Sequence, residues 1–444
     1  MLENGSRLFG TDGIRGVANT ELSADIALSV GRAAGEKIRG GSVLVGRDTR
    51  RSGEMLSEAL QAGFHSTGVD TVDVGVLPTG GISHLIVASG ATMGAVVSAS
   101  HNPAVDNGIK LLDERGAKLA DGKEDAIEAR MRRGAPWHLA AGDQVGTRFP
   151  MPDAENRYLH FLQGSTSYTL RGFRLMLDCA NGAASLVAPE LFRRLKADVE
   201  TVCAEPDGTN INDGCGAAHP EFLARHAEGR IGLAFDGDAD RLIAVDEDGI
   251  PANGDVIMAI IARQMKESGR LKKNIVVATV MANLGFRKAM EKLDIELVET
   301  QVGDRYVKEA MWEHRAILGG EQSGHVIFAD RAVTGDGLLT AVRLLEVLAI
   351  TGKELRELRA ETITEFPQIL RNVHVGDKGR LKDAEVLWAT IRQWEAQLAG
   401  NGRVLVRASG TEPLVRIMVE APTRDEAVTI TDELVSIARK ELGV

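Results

Sequence analysis

One pattern occurs three times in this chain and limits the folds open to it: a short apolar run, a polar turn, an amphipathic helical stretch, and a second apolar run. The first copy has Ser42-Val43-Leu44-Val45-Gly46, a helical stretch over 52–68 and a run over 71–76. The second has Leu175-Met176-Leu177, a turn at Asn181-Gly182, a helix to about 196 and a strand over 199–202. The third has Ile275-Val276-Val277, a helix around 286–293 and a strand over 296–302. Runs this apolar, joined by amphipathic helices, read as strands of βαβ units, parallel and covered by helices on both faces. The copies are too far apart for a solenoid, so each predicts its own α/β domain. A length of 444 residues agrees, because a single core stops growing at about 250–300 residues.

Punctuation predicts the boundaries. Pro150 and Pro152 precede a helical pattern near Glu155, and Gly249-Ile250-Pro251-Ala252-Asn253-Gly254 precedes another at Asp255. Pro367 separates the third copy from a tail of different order: a helix over 381–399, a strand over 404–406, a loop, a strand over 414–420 and a closing helix. That last helix is marked by a capping-box pair, Thr423 and Glu426, and by Ala427, Ile430, Leu434 and Ile437 at helical spacing. The predicted domains are 1–151, 152–253, 254–366 and 367–444. The fold class is α/β: three similar α/β domains with mixed sheets plus a smaller α+β C-terminal domain.

Composition removes several functions. With 52 basic against 63 acidic residues the formal charge is −11, which disfavours nonspecific binding to nucleic acid or anionic membranes. Three scattered cysteines, Cys179, Cys203 and Cys215, show neither zinc-ligand spacing nor a secretory context, so a reducing cytoplasm is expected. Residues 74–105 carry no Asp, Glu, Lys or Arg, yet Pro78, Gly80, Gly81, His84, Gly90 and Gly94 interrupt them. This segment reads as buried core leading to a site rather than as a membrane span.

The strongest chemical signal is Asp236-Gly237-Asp238-Ala239-Asp240-Arg241. Alternate carboxylates on an extended loop between strands at 231–235 and 242–245 can converge on one hard cation. Glu247 stands at the twelfth position from Asp236, as in an EF-hand, but the sixth position is Arg241 where Gly is needed, and Pro251 forbids a clean exiting helix. Three carboxylates leave coordination positions open, which suits Mg²⁺ shared with a phosphate oxygen. The plain alternative is a turn of surface aspartates.

Val96-Val97-Ser98-Ala99-Ser100-His101-Asn102-Pro103 is a buried strand ending in a loop that shows a hydroxyl, an imidazole and an amide. A serine hydrolase is disfavoured, since the G-x-S-x-G elbow is absent and a chain-adjacent His is poorly placed as base. Lys110 could return on the next strand to neutralise a phosphate or move a proton. Arg407-Ala408-Ser409-Gly410-Thr411-Glu412-Pro413, with Arg416 nearby, offers hydroxyls, amides and guanidinium groups to a dianion. Gly319-Gly320-Glu321-Gln322-Ser323-Gly324-His325 places a carboxylate, a hydroxyl and an imidazole at alternate positions, facing one way if extended, which suits the hydroxyls of a hexose. Arg15 and Arg47 have the simpler reading of salt-bridging turn residues.

These loops fall one per predicted domain, and in that order the sequence resembles the α-D-phosphohexomutases, most closely their phosphoglucosamine mutase branch. The resemblance spans essentially the whole chain, from Phe9-Gly10-Thr11-Asp12-Gly13-Ile14-Arg15-Gly16 to the Arg407 loop. The branch is suggested by that first run, by Ser rather than Thr at position 98, and by Gln322 between Glu321 and Ser323. Ala408 departs from it, standing where the branch usually has Pro. The resemblance implies a heart-shaped four-domain enzyme with its site in a central cleft. Ser100 would be phosphorylated, with Arg15, His101 and Lys110 in the catalytic set. One Mg²⁺ would be held by Asp236, Asp238, Asp240 and the phosphoserine. Substrate contacts would come from Arg241, Glu321, Ser323, His325, Arg407, Ser409, Gly410, Thr411 and Arg416.

The implied reaction interconverts glucosamine 6-phosphate and glucosamine 1-phosphate, with glucosamine or glucose 1,6-bisphosphate as activator. Its product would supply UDP-N-acetylglucosamine for cell-wall precursors. The expected partner is a small phosphosugar, without nucleic acid or membrane, and a homodimer is the candidate assembly. Phosphoglucomutase or phosphomannomutase activity is the alternative within the family; a phosphatase and a non-catalytic sugar-phosphate sensor are the alternatives outside it.

Overall fold

The computed structural model describes residues 7–10, 12–38, 40–409 and 414–443. Each of the three repeated patterns forms a mixed sheet. The first contains β1 (Ile14–Val17), β2 (Ser42–Arg47), β3 (Asp70–Val76), β4 (Met93–Val97), β5 (Asp106–Leu112) and β6 (Arg148–Pro150), in the order β1-β5-β4-β2-β3-β6. The second contains β7 (Arg174–Asp178), β8 (Asp198–Val202), β9 (Ile231–Phe235), β10 (Leu242–Val245) and β11 (Pro251–Ala252), in the order β11-β10-β9-β7-β8. The third contains β12 (Ile275–Thr279), β13 (Glu296–Thr300), β14 (Leu318–Gly320) and β15 (Val326–Phe328), in the order β13-β12-β14-β15.

One arrangement runs through all three: three parallel strands followed by one antiparallel strand, as β3-β2-β4-β5, β8-β7-β9-β10 and β13-β12-β14-β15. The connection from the last parallel strand to its antiparallel neighbour is a short reversal at the carboxyl edge of the parallel strands. Ser100 lies in this reversal in the first sheet, Asp236 to Arg241 in the second, and Glu321 to His325 in the third. β4, β9 and β12 are buried at every residue, as strands covered on both faces must be. The uncharged stretch over 74–105 supplies helix Thr79–Ser89 and β4, and its buried end leads into the Ser100 reversal.

Two compact units result: Met1–Met281 with Ile295–Glu361, and Ala282–Asp294 with Thr362–Val444. The first holds the three sheets above. The second is built on β16 (Gln368–His374), β17 (Arg403–Ala408) and β18 (Leu414–Glu420), antiparallel in the order β16-β18-β17, with helices Glu385–Leu398 and Arg424–Leu442. Of the expected capping pair, the N-cap half is present, the Thr423 hydroxyl accepting from the Glu426 N–H at 3.3 Å.

The sequence reading differs from the structure at three points here. β16 was not anticipated, because exposed Arg371 interrupts the face that buries Ile369 and Val373 and apolar Leu370 stands exposed on the other, so only pairing with β18 defines the strand. The helix expected from 381 begins at Glu385, since a 3₁₀ turn at Lys378–Asp383, capped by the Asp377 carboxylate, occupies the approach. The helix of the third copy, Leu284–Lys292, belongs to the second unit. There Leu284 N–H donates to the Glu420 carboxylate at 3.2 Å and Arg403 donates to the Ala282 carbonyl at 2.6 Å.

Helices Ala24–Ile38 and Gly53–Ser66 cross at glycines. A Cβ on Gly31 would lie 2.1 Å from the Leu60 carbonyl oxygen, and one on Gly63 would lie 2.3 Å from that of Leu28. Glycine to alanine inside an exposed helix stabilises by up to about 1 kcal/mol. Gly63→Ala should have the opposite sign, costing about 1–3 kcal/mol by overpacking and lowering the unfolding temperature in calorimetry.

Candidate active site

The first reversal turns on Ser100, which has φ +51° and is buried. Its hydroxyl donates to Asp236 Oδ2 at 2.5 Å and lies 3.4 Å from His101 Nδ1, while its N–H donates to Ser98 Oγ at 2.9 Å. The second reversal is a turn rather than the extended loop expected from the alternating carboxylates. Ala239 has φ +56° and its N–H donates to the Asp236 carbonyl at 3.0 Å. The turn itself brings the Asp236, Asp238 and Asp240 oxygens within 4.8 Å of one another. Gly237 permits the approach, because a Cβ there would sit 2.5 Å from the Ser100 carbonyl oxygen.

Burial, followed by the neighbouring carboxylates, pushes the Asp236 and Asp240 carboxyls above the usual range. Burial also acts against ionised Asp238, but Lys110 Nζ at 2.8 Å and the Thr79 hydroxyl at 2.7 Å overcome it and hold that carboxyl low. Lys110 is likewise buried, yet Asp12 at 3.1 Å, Asp238 and Asp240 at 3.6 Å hold it above the ordinary lysine range as a cation. Lys118 and Arg15 close the group on Asp12. Asp238 Oδ1 and Asp240 Oδ1 remain buried without a hydrogen-bond partner. Unpartnered carboxylate oxygens in an all-oxygen set are what a hard divalent cation satisfies, so the residues fit one. Glu247 takes no part: its carboxylate accepts from the Leu355 and Arg356 N–H groups, which removes the EF-hand reading.

The third reversal also corrects an expectation. Glu321, Ser323 and His325 do not face one way, because the chain turns, Gly324 N–H donating to the Glu321 carbonyl at 3.0 Å. Ser323 is exposed, Glu321 Oε1 accepts from Gly303 N–H at 3.0 Å, and buried His325 accepts through Nε2 from Gly335 N–H at 3.2 Å. Backbone bonds anchor this loop, Leu242 N–H, directly after the aspartate turn, donating to Gly324 and Gly254 N–H, at the start of helix Gly254–Glu267, to Gln322, each at 3.0 Å. Arg241 lies 3.8 Å from Asp240. Thus the first unit brings Arg15, Ser100, His101, Lys110, the three aspartates, Arg241 and the Glu321 loop into one neighbourhood. Arg47 is the last residue of β2 rather than a turn residue, and its Nη1 donates to the Asp48 carbonyl at 3.4 Å.

In the second unit Arg407 and Arg416 stand opposite each other on β17 and β18, and burial followed by Arg416 lowers the Arg407 guanidinium. Like charges directly opposite each other across strands repel. Lys378 adds a cation, its Nζ donating to the Ser409 carbonyl at 2.8 Å. Gly410 and Thr411 lie outside the described residues. Sequence reasoning missed Asp12, Thr79, Lys118 and Lys378. Asp12 stood inside a quoted run, whereas Thr79 and Lys378 had no local signal.

Four descriptions match the chain in order: Phosphoglucomutase/phosphomannomutase alpha/beta/alpha domain I over residues 6–136, domain II over 156–249, domain III over 253–366, and the C-terminal domain over 370–437. The chain belongs to the phosphoglucomutase/phosphomannomutase family. Within this phosphohexomutase family it is similar to the phosphoglucosamine mutase of Halalkalibacterium halodurans, at 48% identity over 98% of this chain and 99% of that one. It is also similar to that of Listeria monocytogenes, at 46% identity over 99% of each. A solved phosphoglucomutase/phosphomannomutase family protein from Burkholderia thailandensis superimposes with a TM-score of 0.82 at 28% identity, covering 98% of this chain and 97% of that one. The four-domain phosphohexomutase architecture expected from the sequence is therefore present. Among the described residues no helix is long and apolar enough to cross a membrane.

Two measurements check this site. Asp240→Asn should lower Mg²⁺ affinity about tenfold or more in isothermal titration calorimetry, by removing one charge from the oxygen set. His101 is pushed down to about 4 by burial and then by Arg241 and Arg15, so its imidazole is uncharged near neutral pH. Between that value and its ordinary 6.5 the unfolded chain binds a proton that the folded chain refuses. The His101 contribution to stability should be complete above pH 6.5 and shrink as pH falls towards 4, while its NMR ring signals stay unshifted above roughly pH 5.5.

Proposed function

We propose that this phosphohexomutase interconverts glucosamine 6-phosphate and glucosamine 1-phosphate through phosphorylated Ser100 and a 1,6-bisphosphate. The observation that carries the reading is the Ser100 hydroxyl 2.5 Å from Asp236, where the serine loop meets a turn of three buried aspartates. The amino-sugar substrate rests on the names of relatives 48% and 46% identical over nearly their whole length. The segments 1–151, 152–253, 254–366 and 367–444 then each contribute one loop.

In the forward direction the phosphorus–oxygen bond to Ser100 breaks as one forms to the sugar O1. The O1 proton ends on the released Ser100 Oγ, the bisphosphate turns over, and in the second transfer the Ser100 hydroxyl proton passes to O6. The 6-phosphate then returns to Ser100, leaving glucosamine 1-phosphate. Asp236, Asp238, Asp240 and the phosphoserine would hold one Mg²⁺, whose charge lowers the cost of crowding anionic oxygens. Arg241 and Arg15 add positive charge on the same side. Lys110, held protonated by its three carboxylate partners, would supply fixed positive charge beside the transferring group rather than give up its proton, and neutral His101 would orient the phosphate. With His325 Nε2 already accepting from an amide, any acid–base part it plays falls to Nδ1. Glu321 and Ser323 would hold sugar hydroxyls. Arg407, Ser409, Gly410, Thr411 and Arg416 would grip the phosphate that is not reacting, which a phosphatase would not need.

Glucosamine or glucose 1,6-bisphosphate would prime Ser100, and a homodimer in the cytoplasm would supply UDP-N-acetylglucosamine for cell-wall precursors. A phosphoglucomutase or phosphomannomutase remains the second reading, favoured by the description of the matching family. Purified enzyme given bisphosphate should carry one phosphoryl group, mapped to Ser100 by peptide mass spectrometry. Turnover should be fastest with glucosamine 6-phosphate against glucose and mannose 6-phosphates, and Ser100→Ala should lose at least about 10³-fold in kcat. Preference for glucose or mannose 6-phosphate would reverse the substrate assignment.

A further inference from the structure

We infer that a buried ion pair, Asp48 with Arg50, positions Ser100 for phosphoryl transfer, acting through the backbone of the serine loop. This rests on the phosphoserine reading above. Arg50 is 1% exposed and Asp48 0%. Every N–H of the guanidinium is used. Nε donates to Asp48 Oδ2 at 2.9 Å. Nη1 donates to the carbonyls of Pro103 and of Asp106, the latter at 2.9 Å. Nη2 donates to the carbonyls of Ser100 at 2.9 Å and Asn102 at 2.8 Å. One side chain therefore collects four carbonyls of the loop that carries the reacting hydroxyl.

Asp48 completes the clamp from the other side. Its Oδ1 accepts from Arg50 N–H at 3.0 Å, and its Oδ2 accepts from the Ser98 hydroxyl at 2.6 Å. Ser98 Oγ in turn accepts from Ser100 N–H. Ser100 is thus fixed at both its N–H and its C=O by one connected network, and its left-handed φ of +51° persists because that network holds it. Asn212, from the second sheet's loops, adds Nδ2 bonds to the Ser100 carbonyl at 2.9 Å and to that of Asn102 at 3.0 Å.

The chemistry explains the residue type. Five donors in a rigid planar fork can serve four converging carbonyls and a carboxylate together, whereas the three donors of a lysine ammonium radiate from one point. Neither Asp48 nor Arg50 directs a hydrogen bond at the Ser100 hydroxyl, so both are positioning residues. Their effect belongs in kcat, because a misplacement of about 1 Å costs on the order of 10²-fold while the sugar and phosphate contacts remain.

The test uses Arg50→Lys and Ser98→Ala in the full chain, with Arg47→Lys as control. It reads unfolding temperature, KM, and kcat per Ser100 phosphate counted by mass spectrometry. Arg50→Lys is expected to lower kcat about 100-fold with KM within about threefold, and to slow priming of Ser100 by bisphosphate. Ser98→Ala cuts the relay from Asp48 to the Ser100 N–H and is expected to lower kcat about tenfold, with the unfolding temperature down by a few degrees because a buried N–H loses its acceptor. Arg47→Lys should match the parent. A structural role alone would lower the unfolding temperature of Arg50→Lys and leave kcat per phosphorylated site unchanged, which overturns the inference. If Arg50→Lys fails to fold, an unchanged kcat in Ser98→Ala overturns it equally. Absence of phosphate from Ser100 in the parent enzyme would instead defeat the proposed function, so the two failures are distinguishable.

Discussion

The site depends on how much negative charge the fold tolerates in one buried turn. Asp236, Asp238 and Asp240 come together with Asp12 beside them, and Lys110 is the buried cation that holds the group, 2.8 Å from Asp238 and 3.1 Å from Asp12. These partners arise from β5, from the segment before β1 and from the β9–β10 turn, so the ion pair ties the first sheet to the second. Removing one partner of a buried pair costs about 3–5 kcal/mol because the other charge stays behind. The compensation is also incomplete, since Asp238 Oδ1 and Asp240 Oδ1 have no hydrogen-bond partner. A divalent cation bound to that set would therefore add to the stability of the folded chain as well as to its chemistry.

Repetition explains why such a site can be assembled at all. In an open sheet, groups beyond the carboxyl ends of parallel strands are free to meet a ligand. Here the three sheets share one order, and each turns back into an antiparallel strand at that edge. The reversal is short and anchored by two buried strands, so its side chains are precisely directed without a long loop. The serine, the carboxylates and the Glu321 turn occupy equivalent topological places, and joining the second and third loops takes only backbone bonds such as Leu242 N–H to Gly324.

What the sequence revealed follows from the range of the interactions. Ser100 and the aspartate turn are written in neighbouring residues, and so are the strands that deliver them. β9, β10 and β18 lie where hydrophobic runs place them, and the Thr423 cap forms with its own helix. Thr79 on Asp238 and Asn212 on Ser100 are pairings across more than a hundred residues, with no local trace. Arg50 stood in plain view beside Asp48, yet its four carbonyl partners lie on a loop some fifty residues away. The Glu321 motif misled for a different reason. Alternation places side chains on one face only in extended chain, and Gly324, with φ +93°, bends this one.

The two arginines of the second unit bear on the choice between a mutase and simpler reactions. Arg407 and Arg416 face each other in strand register, and burial followed by Arg416 lowers the Arg407 guanidinium. Lys378, donating to the Ser409 carbonyl, adds a third cationic group to the same sheet end. The first unit already contains a hydroxyl, carboxylates for a cation and Arg241, which suffice for breaking one phosphate ester. A separate anion grip has a use when the substrate carries a phosphate that must be held while another moves. It keeps that use when the bisphosphate presents its opposite end, because either phosphate offers the guanidinium groups the same oxygens. Exchange of the two ends therefore asks for one reacting centre and one indifferent holder.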